Sequence, residues 1–145
     1  MDYSLVYFIH VLGALMVGFY LIMPFVTLTL RGLTAPVQIG FARGMRKLNT
    51  IAQWLLIVQF LTGGYLIGLV KGFSVPWMVS VVVVFVLLGA ASGMLGASLK
   101  RIVKSAEGIG VGSVASHATR ALLWSIVASL SVLYLTVSMV FPRWI

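Results

Sequence analysis

Four stretches of nearly unbroken apolar residues organise this chain. The first runs from Tyr3 to Leu30 with only mildly polar interruptions, the second from Ile51 to Val70, the third from about Val75 to Ser98, and the fourth from Ala121 to Phe141. Each meets the need of a helix that crosses about 30 Å of hydrocarbon, which takes roughly 20 residues. The pattern predicts an all-α fold, an integral membrane four-helix bundle of two helical hairpins. Its helices are expected over about 3–30, 51–70, 75–98 and 121–141, in one domain covering 1–145. Pro76 suits the start of the third helix, where its missing N–H costs nothing. Pro142 is expected to end the fourth. The first stretch is too long for a signal-peptide core, and Asp2 stands where a basic n-region would be, so it is read as a retained helix.

The connections have a different character. RGLTAPVQIGFARGMRKLN joins the first pair and KRIVKSAEGIGVGSVASHATR the last, both basic and glycine-containing, with room for short interfacial helices. The middle connection, KGFS, reads as a tight turn. Gly108, Gly110 and Gly112 look superficially like part of a dinucleotide loop, but no strand precedes them. They are read as loop flexibility.

Composition sharpens the class. Of 145 residues, 61% are hydrophobic and only 8% charged, whereas a soluble domain carries about 25% charged residues. A soluble enzyme, a disordered chain and a coiled coil are excluded. Cysteine is absent, so disulfides and thiolate metal sites are excluded too. Ten Lys and Arg stand against Asp2 and Glu107, a net charge of +8. Because these charges lie between apolar runs, they are read as topology signals and lipid head-group contacts scattered over an interface, and no nucleic-acid partner is expected. Arg31, Arg43, Arg46, Lys47, Lys100, Arg101, Lys104 and Arg120 fall in the two long links, against Lys71 and Arg143 on the far side. The positive-inside rule therefore puts both links in the cytoplasm and both termini outside. Trp77 and Trp144 at the outer ends, and Trp54 and Trp124 nearer the inner ends, fit an interfacial aromatic belt.

No Asp, Glu, Lys or Arg lies in any apolar core. Ion-coupled transport and paired-carboxylate chemistry need such a group, which leaves histidine as the intramembrane candidate. His10 sits about 10 Å along the axis from the outer end of the first helix. Gly13, Ala14 and Gly18 leave a flat surface beside it. Small residues there either let a neighbouring helix pack closely or clear room for a planar macrocycle beside an axial ligand. The plainer role for His10 is a hydrogen bond to a carbonyl or a tyrosine on a facing helix. Met78 and Met139 are candidate axial thioethers, and Tyr65 and Tyr134 candidate partners for a propionate or a porphyrin edge. His117 falls just before the fourth helix on the opposite surface, about 25 Å away, so it is read as an interfacial residue and not as a second ligand. Gln59, with Thr62 and Gly63 on its face, must find a partner in the bundle, because hydrocarbon offers none. Gly89, Gly93 and Ala97 have small-xxx-small spacing, which predicts close packing within the bundle or across a homo-oligomer.

The segment YFIHVLGALMVGFY, with its His10 and Gly18, resembles the opening of a group of small bacterial integral membrane proteins. The group includes a family of unknown function, the membrane domain of copper-resistance protein D and the four-helix membrane protoporphyrinogen oxidases. RGMRKLNTIAQ leading into QFLTGGYL, with Thr62 and Gly63, resembles the second helix of the unknown-function branch. The resemblance implies a multi-pass protein of the bacterial cytoplasmic membrane and, from the oxidase branch, haem at His10. The basic residue that the oxidases carry inside the first helix has no counterpart here. Together these readings give a b-type haem-binding membrane protein with an electron-transfer, haem-handling or sensing role and a quinone or other redox partner. The rival is a cofactor-free subunit of a larger complex or a small transporter.

The charge asymmetry makes a direct prediction. Alkaline phosphatase fused to the C-terminus is expected to be active in a bacterial host, and a fluorescent protein that folds only in the cytoplasm is expected to stay dark there. The reverse pattern overturns the assigned sides.

Overall fold

The structure is a computed structural model that describes residues 2–69 and 72–141. Lys71, Pro142, Arg143 and Trp144, to which the sequence assigns roles, lie outside the described residues. Those described fold into helices α1 (Tyr3–Val17), α2 (Phe19–Thr29), α3 (Ala35–Leu69), α4 (Val75–Ala106) and α5 (Val114–Val140), with a 3-10 turn at Leu30–Gly32. Taking α1 through the 3-10 turn as one segment, four helical segments are long and apolar enough to cross a membrane. Each segment leaves most of its apolar side chains on the outside of the bundle.

The first segment is broken where one continuous helix is expected over 3–30. Gly18 closes α1 with its N–H on the Ala14 carbonyl at 3.0 Å, and its own carbonyl accepts from Leu21 N–H at 2.9 Å, a tightened turn. A Cβ on Gly18 would lie 2.9 Å from the Leu15 carbonyl oxygen, so a side chain does not fit there. Further along the same segment, Pro24 removes another N–H from the helical ladder. The break lets the two halves choose different neighbours: α1 packs against α3, and α2 against α5. With α3 on α4 and α4 on α5, the bundle closes on itself.

The other boundaries also depart from expectation. α3 begins at Ala35, where 51 is expected, α4 runs on to Ala106 instead of 98, and α5 starts at Val114 instead of 121. The two long basic links are therefore mostly helix, and the true connections are short. The reason lies in the buried positions. In α3 these are Gln38, Ala42, Asn49, Ala52, Leu56 and Gln59, with Met45 partly covered. Their steps alternate four and three, and the 3.5-residue repeat runs through the basic stretch without interruption. α5 repeats it through Ala118, Ala121, Ser125, Ala128 and Val132. Thirty-five residues make a helix of about 52 Å, longer than the ~30 Å of a hydrocarbon core. The excess carries the charges.

Polar side chains fasten the seams. Tyr20 of α2 donates to Asn49 Oδ1 of α3 at 3.1 Å, and Asn49 Nδ2 donates to the Ser92 carbonyl of α4 at 3.1 Å. One carboxamide thus joins three helices. Thr27 and Ser125 hydroxyls meet at 3.1 Å between α2 and α5. Trp77 is fully buried and donates its indole N–H to the Ser138 carbonyl at 3.0 Å, so it fastens α4 to α5 and is not an interfacial belt residue. Gln38 Nε2 donates to the Leu30 carbonyl at 2.7 Å, which fixes the start of α3 against the 3-10 turn. Glu107, at the end of α4, pairs with Arg43 of α3.

The small residues of α4 divide between two faces. A Cβ on Gly96 would come within 2.9 Å of Asn49 Nδ2, so this glycine admits the carboxamide. A Cβ on Gly89 or Gly93 would meet nothing within 4 Å, and Ala97 is exposed beside them. Within one chain, the expected packing of the Gly89, Gly93 and Ala97 face is absent, because the adjacent Ser92–Gly96 edge takes that role. Asn49→Ala is therefore expected to lower stability by about 1–2 kcal/mol in detergent unfolding, with Gly96→Leu at least as damaging. Gly93→Leu should stay within about 0.5 kcal/mol at high dilution. Equal losses at the two glycines would contradict this division of faces.

Candidate functional site

His10 lies in the seam between α1 and α3, half-buried. The seam is close because glycine faces a side chain from each direction. A Cβ on Gly13 would meet Gln59 Cδ at 3.2 Å, and one on Gly63 would meet His10 Cε1 at 3.1 Å. Gln59 Nε2 donates to the His10 backbone carbonyl at 2.8 Å, while its Oε1 is buried and unpartnered among the described residues. Gln59 therefore joins two helices, as the apolar surroundings require. The face expected to carry Gln59, Thr62 and Gly63 together is the face that receives His10.

The imidazole is oriented by a hydroxyl. His10 Nδ1 lies 2.9 Å from Thr62 Oγ1. Thr62 Oγ1 also lies 2.8 Å from the Val58 carbonyl and 3.3 Å from the Gln59 carbonyl, so its one proton has three acceptors within reach, His10 Nδ1 among them. With that proton on either carbonyl, Nδ1 is the donor of the pair and Nε2 carries the lone pair. Nε2 has no hydrogen bond among the described residues. A histidine that ligates metal characteristically donates its other ring N–H to a fixed acceptor, and Thr62 Oγ1 is placed where it can accept one.

The remaining candidates are distributed less compactly. Gly13 serves helix packing against Gln59, Ala14 is exposed, and Gly18 forms the break between α1 and α2. The flat surface beside His10 is thus supplied in part by Gly63 of α3. Tyr65 stands on α3 three residues beyond Thr62 and is 39% exposed. Met78 is on α4, and Tyr134 and Met139 are on α5. Those two helices pack chiefly on each other, as α1 does on α3. No group of three or more His, Asp or Glu able to hold a metal ion occurs among the described residues.

His117 differs from its expected placement. It lies in the first turn of α5, not before it, and is 6% exposed. Its Nε2 is 2.9 Å from the Val111 carbonyl. It belongs to the basic end of the bundle, and the Thr62 pair of His10 belongs to the other half of α3, so the two rings occupy different sites.

Thr62 as the partner of His10 is visible in the sequence only as one of several hydroxyls on the second apolar run. Asn49 is hidden by its place among basic residues, although its 3.5-residue spacing from Ala42 and Ala52 marks it as inward-facing. In comparisons with known proteins, no family model, no curated protein and no solved structure matches this chain.

Proposed function

We propose that this chain is a multi-pass protein of the bacterial cytoplasmic membrane, with both termini outside, that binds b-type haem through His10 Nε2. The observation that carries the proposal is the pairing of His10 Nδ1 with Thr62 Oγ1, which orients the ring and leaves Nε2 without a partner among the described residues. With the Thr62 proton on the Val58 or Gln59 carbonyl, Nδ1 donates to Thr62 and Nε2 presents its lone pair, the neutral form a ligand requires.

His10 would supply this chain's ligand to the haem, Gly63 the close contact beside the ring, and Thr62 the hydroxyl that orients it. The iron porphyrin, when bound, supplies a one-electron couple, which suits electron transfer with a quinone or another redox partner, haem handling or sensing. The chain's own contribution is to hold and orient the imidazole through Thr62.

A second reading rests on the same contacts. Gln59 and His10 both fasten α1 to α3, as a purely structural seam would, and a cofactor-free complex subunit or small transporter needs nothing more.

The absorption spectrum separates the two. Protein purified in mild detergent after expression with haem available should show a Soret band that shifts on reduction. His10→Ala is expected to lose the haem while still inserting, because insertion depends on the apolar runs. Thr62→Val should weaken haem binding by about 10–100-fold, the usual effect of removing a ligand's orienting partner. His117→Ala should leave haem content intact. Full occupancy in the His10 variant would falsify the ligand assignment, and a colourless wild-type protein would leave the cofactor-free reading.

A further inference from the structure

The glycine face of α4 that packs against nothing within one chain adjoins a groove between α3 and α4. The groove has a volume of about 460 Å³, and its lining includes Gln53, Ile57 and Leu61 of α3 with Val86, Gly89 and Ser92 of α4. Most of that lining suits hydrocarbon. Gln53 does not.

Gln53 falls inside the second apolar run, six residues beyond Lys47, or about 9 Å along the helix. On the facing helix, Ser92 and Gly89 stand eight and eleven residues before Lys100, about 12–16 Å. The carboxamide therefore sits below the level of the flanking cations on both helices. Neither its oxygen nor its nitrogen has a hydrogen bond among the described residues. Ser92, the other polar residue of the lining, donates its hydroxyl to the Gly89 carbonyl at 2.8 Å. Gln38, Asn49 and Gln59 of the same helix are each buried and bonded across a seam. Gln53 is the one carboxamide of α3 left over.

The glycines beside it are a separate observation. A Cβ on Gly89 or Gly93 would meet nothing within 4 Å. Glycine at these positions thus serves no contact inside the chain, although it weakens a helix relative to alanine. In bilayers, small-residue faces are where helix backbones approach one another closely. Gly89 belongs both to this face and to the groove, so the open face and the unsatisfied carboxamide form one surface.

We infer that this surface is the interface of a homodimer, in which a two-fold axis along the membrane normal pairs Gln53 with the partner's Gln53. A carboxamide carries both donors and an acceptor, so two of them at one depth satisfy each other. A two-fold axis along the normal sets equal depths opposite each other. An acyl chain in the groove has neither group and would leave Gln53 without a hydrogen bond in hydrocarbon. The contact is reciprocal, with Ile57 and Leu61 of each copy against the glycine face of the other. The inference rests on the multi-pass membrane reading and is independent of haem at His10, which lies in the α1–α3 seam.

The test uses the full-length chain, whose lack of cysteine lets a single one be placed at will. In phosphatidylcholine vesicles, Ile57→Cys, one turn along the face from Gln53, is expected to give a disulfide-linked dimer on oxidation. Leu130→Cys, on the exposed face of α5, reports random collision and is expected to stay monomeric. Resistance to carbonate extraction reports membrane insertion separately from association, and circular dichroism reports that helix content is retained. Dimer yield from Ile57→Cys is followed as the protein is diluted with lipid. Adding Gln53→Leu should raise the protein-to-lipid ratio at half-maximal yield by about fivefold or more, and adding Gly93→Leu by about tenfold or more. Adding Leu130→Ala should change it by less than about twofold. Equal yields from the two single-cysteine proteins overturn the interface. So does an inserted Ile57→Cys protein that stays monomeric, which leaves the groove to an acyl chain, or a wild-type midpoint with Gln53→Leu.

Discussion

A buried carboxamide in an apolar bundle must be satisfied by protein alone, and Asn49 is where this chain meets that constraint most completely. Its oxygen accepts from Tyr20 and its nitrogen donates to Ser92, so α2, α3 and α4 are registered against one another by a single side chain. Apolar packing between helices in lipid has little directional preference, because the tails are as apolar as leucine. Register therefore has to come from contacts with fixed geometry. Gly96 follows from this, since any side chain there would displace the carboxamide. The break at Gly18 follows as well: α2 must turn toward α5 and Asn49 while α1 stays on α3.

Much of the architecture is legible in the sequence, because the apolar runs record the demand for about 20 hydrocarbon-compatible residues per crossing. Those runs do not record where helices end. Hydropathy drops at the basic stretches, but the backbone does not, and charged residues with high helix propensity extend α3, α4 and α5 beyond the apolar core. The signal for that extension is the inward repeat through Gln38, Ala42, Met45 and Asn49, which mixes polar with apolar residues and so escapes a hydropathy reading. Trp77 fails for a related reason. Near a helix end it resembles a belt residue, and only its indole bond to Ser138 shows that it faces inward.

The candidate site is legible in part. His10 stands out because no Asp, Glu, Lys or Arg and no other histidine falls in an apolar run, and Thr62 and Gly63 share a face with Gln59 by simple helical spacing. That this face meets His10 depends on how α1 packs, which no local pattern encodes.

The two histidines show how the bundle places a ring that can carry its proton on either nitrogen. His117 Nε2 faces the Val111 carbonyl, which can only accept, so that nitrogen is the donor. His10 Nδ1 faces a hydroxyl, Thr62 Oγ1, which can accept or donate. The backbone thus fixes one ring, while the other follows where the Thr62 proton goes: to the Val58 carbonyl, to the Gln59 carbonyl or to the ring itself. What distinguishes the two rings is less the imidazole itself than the partner the fold places against it.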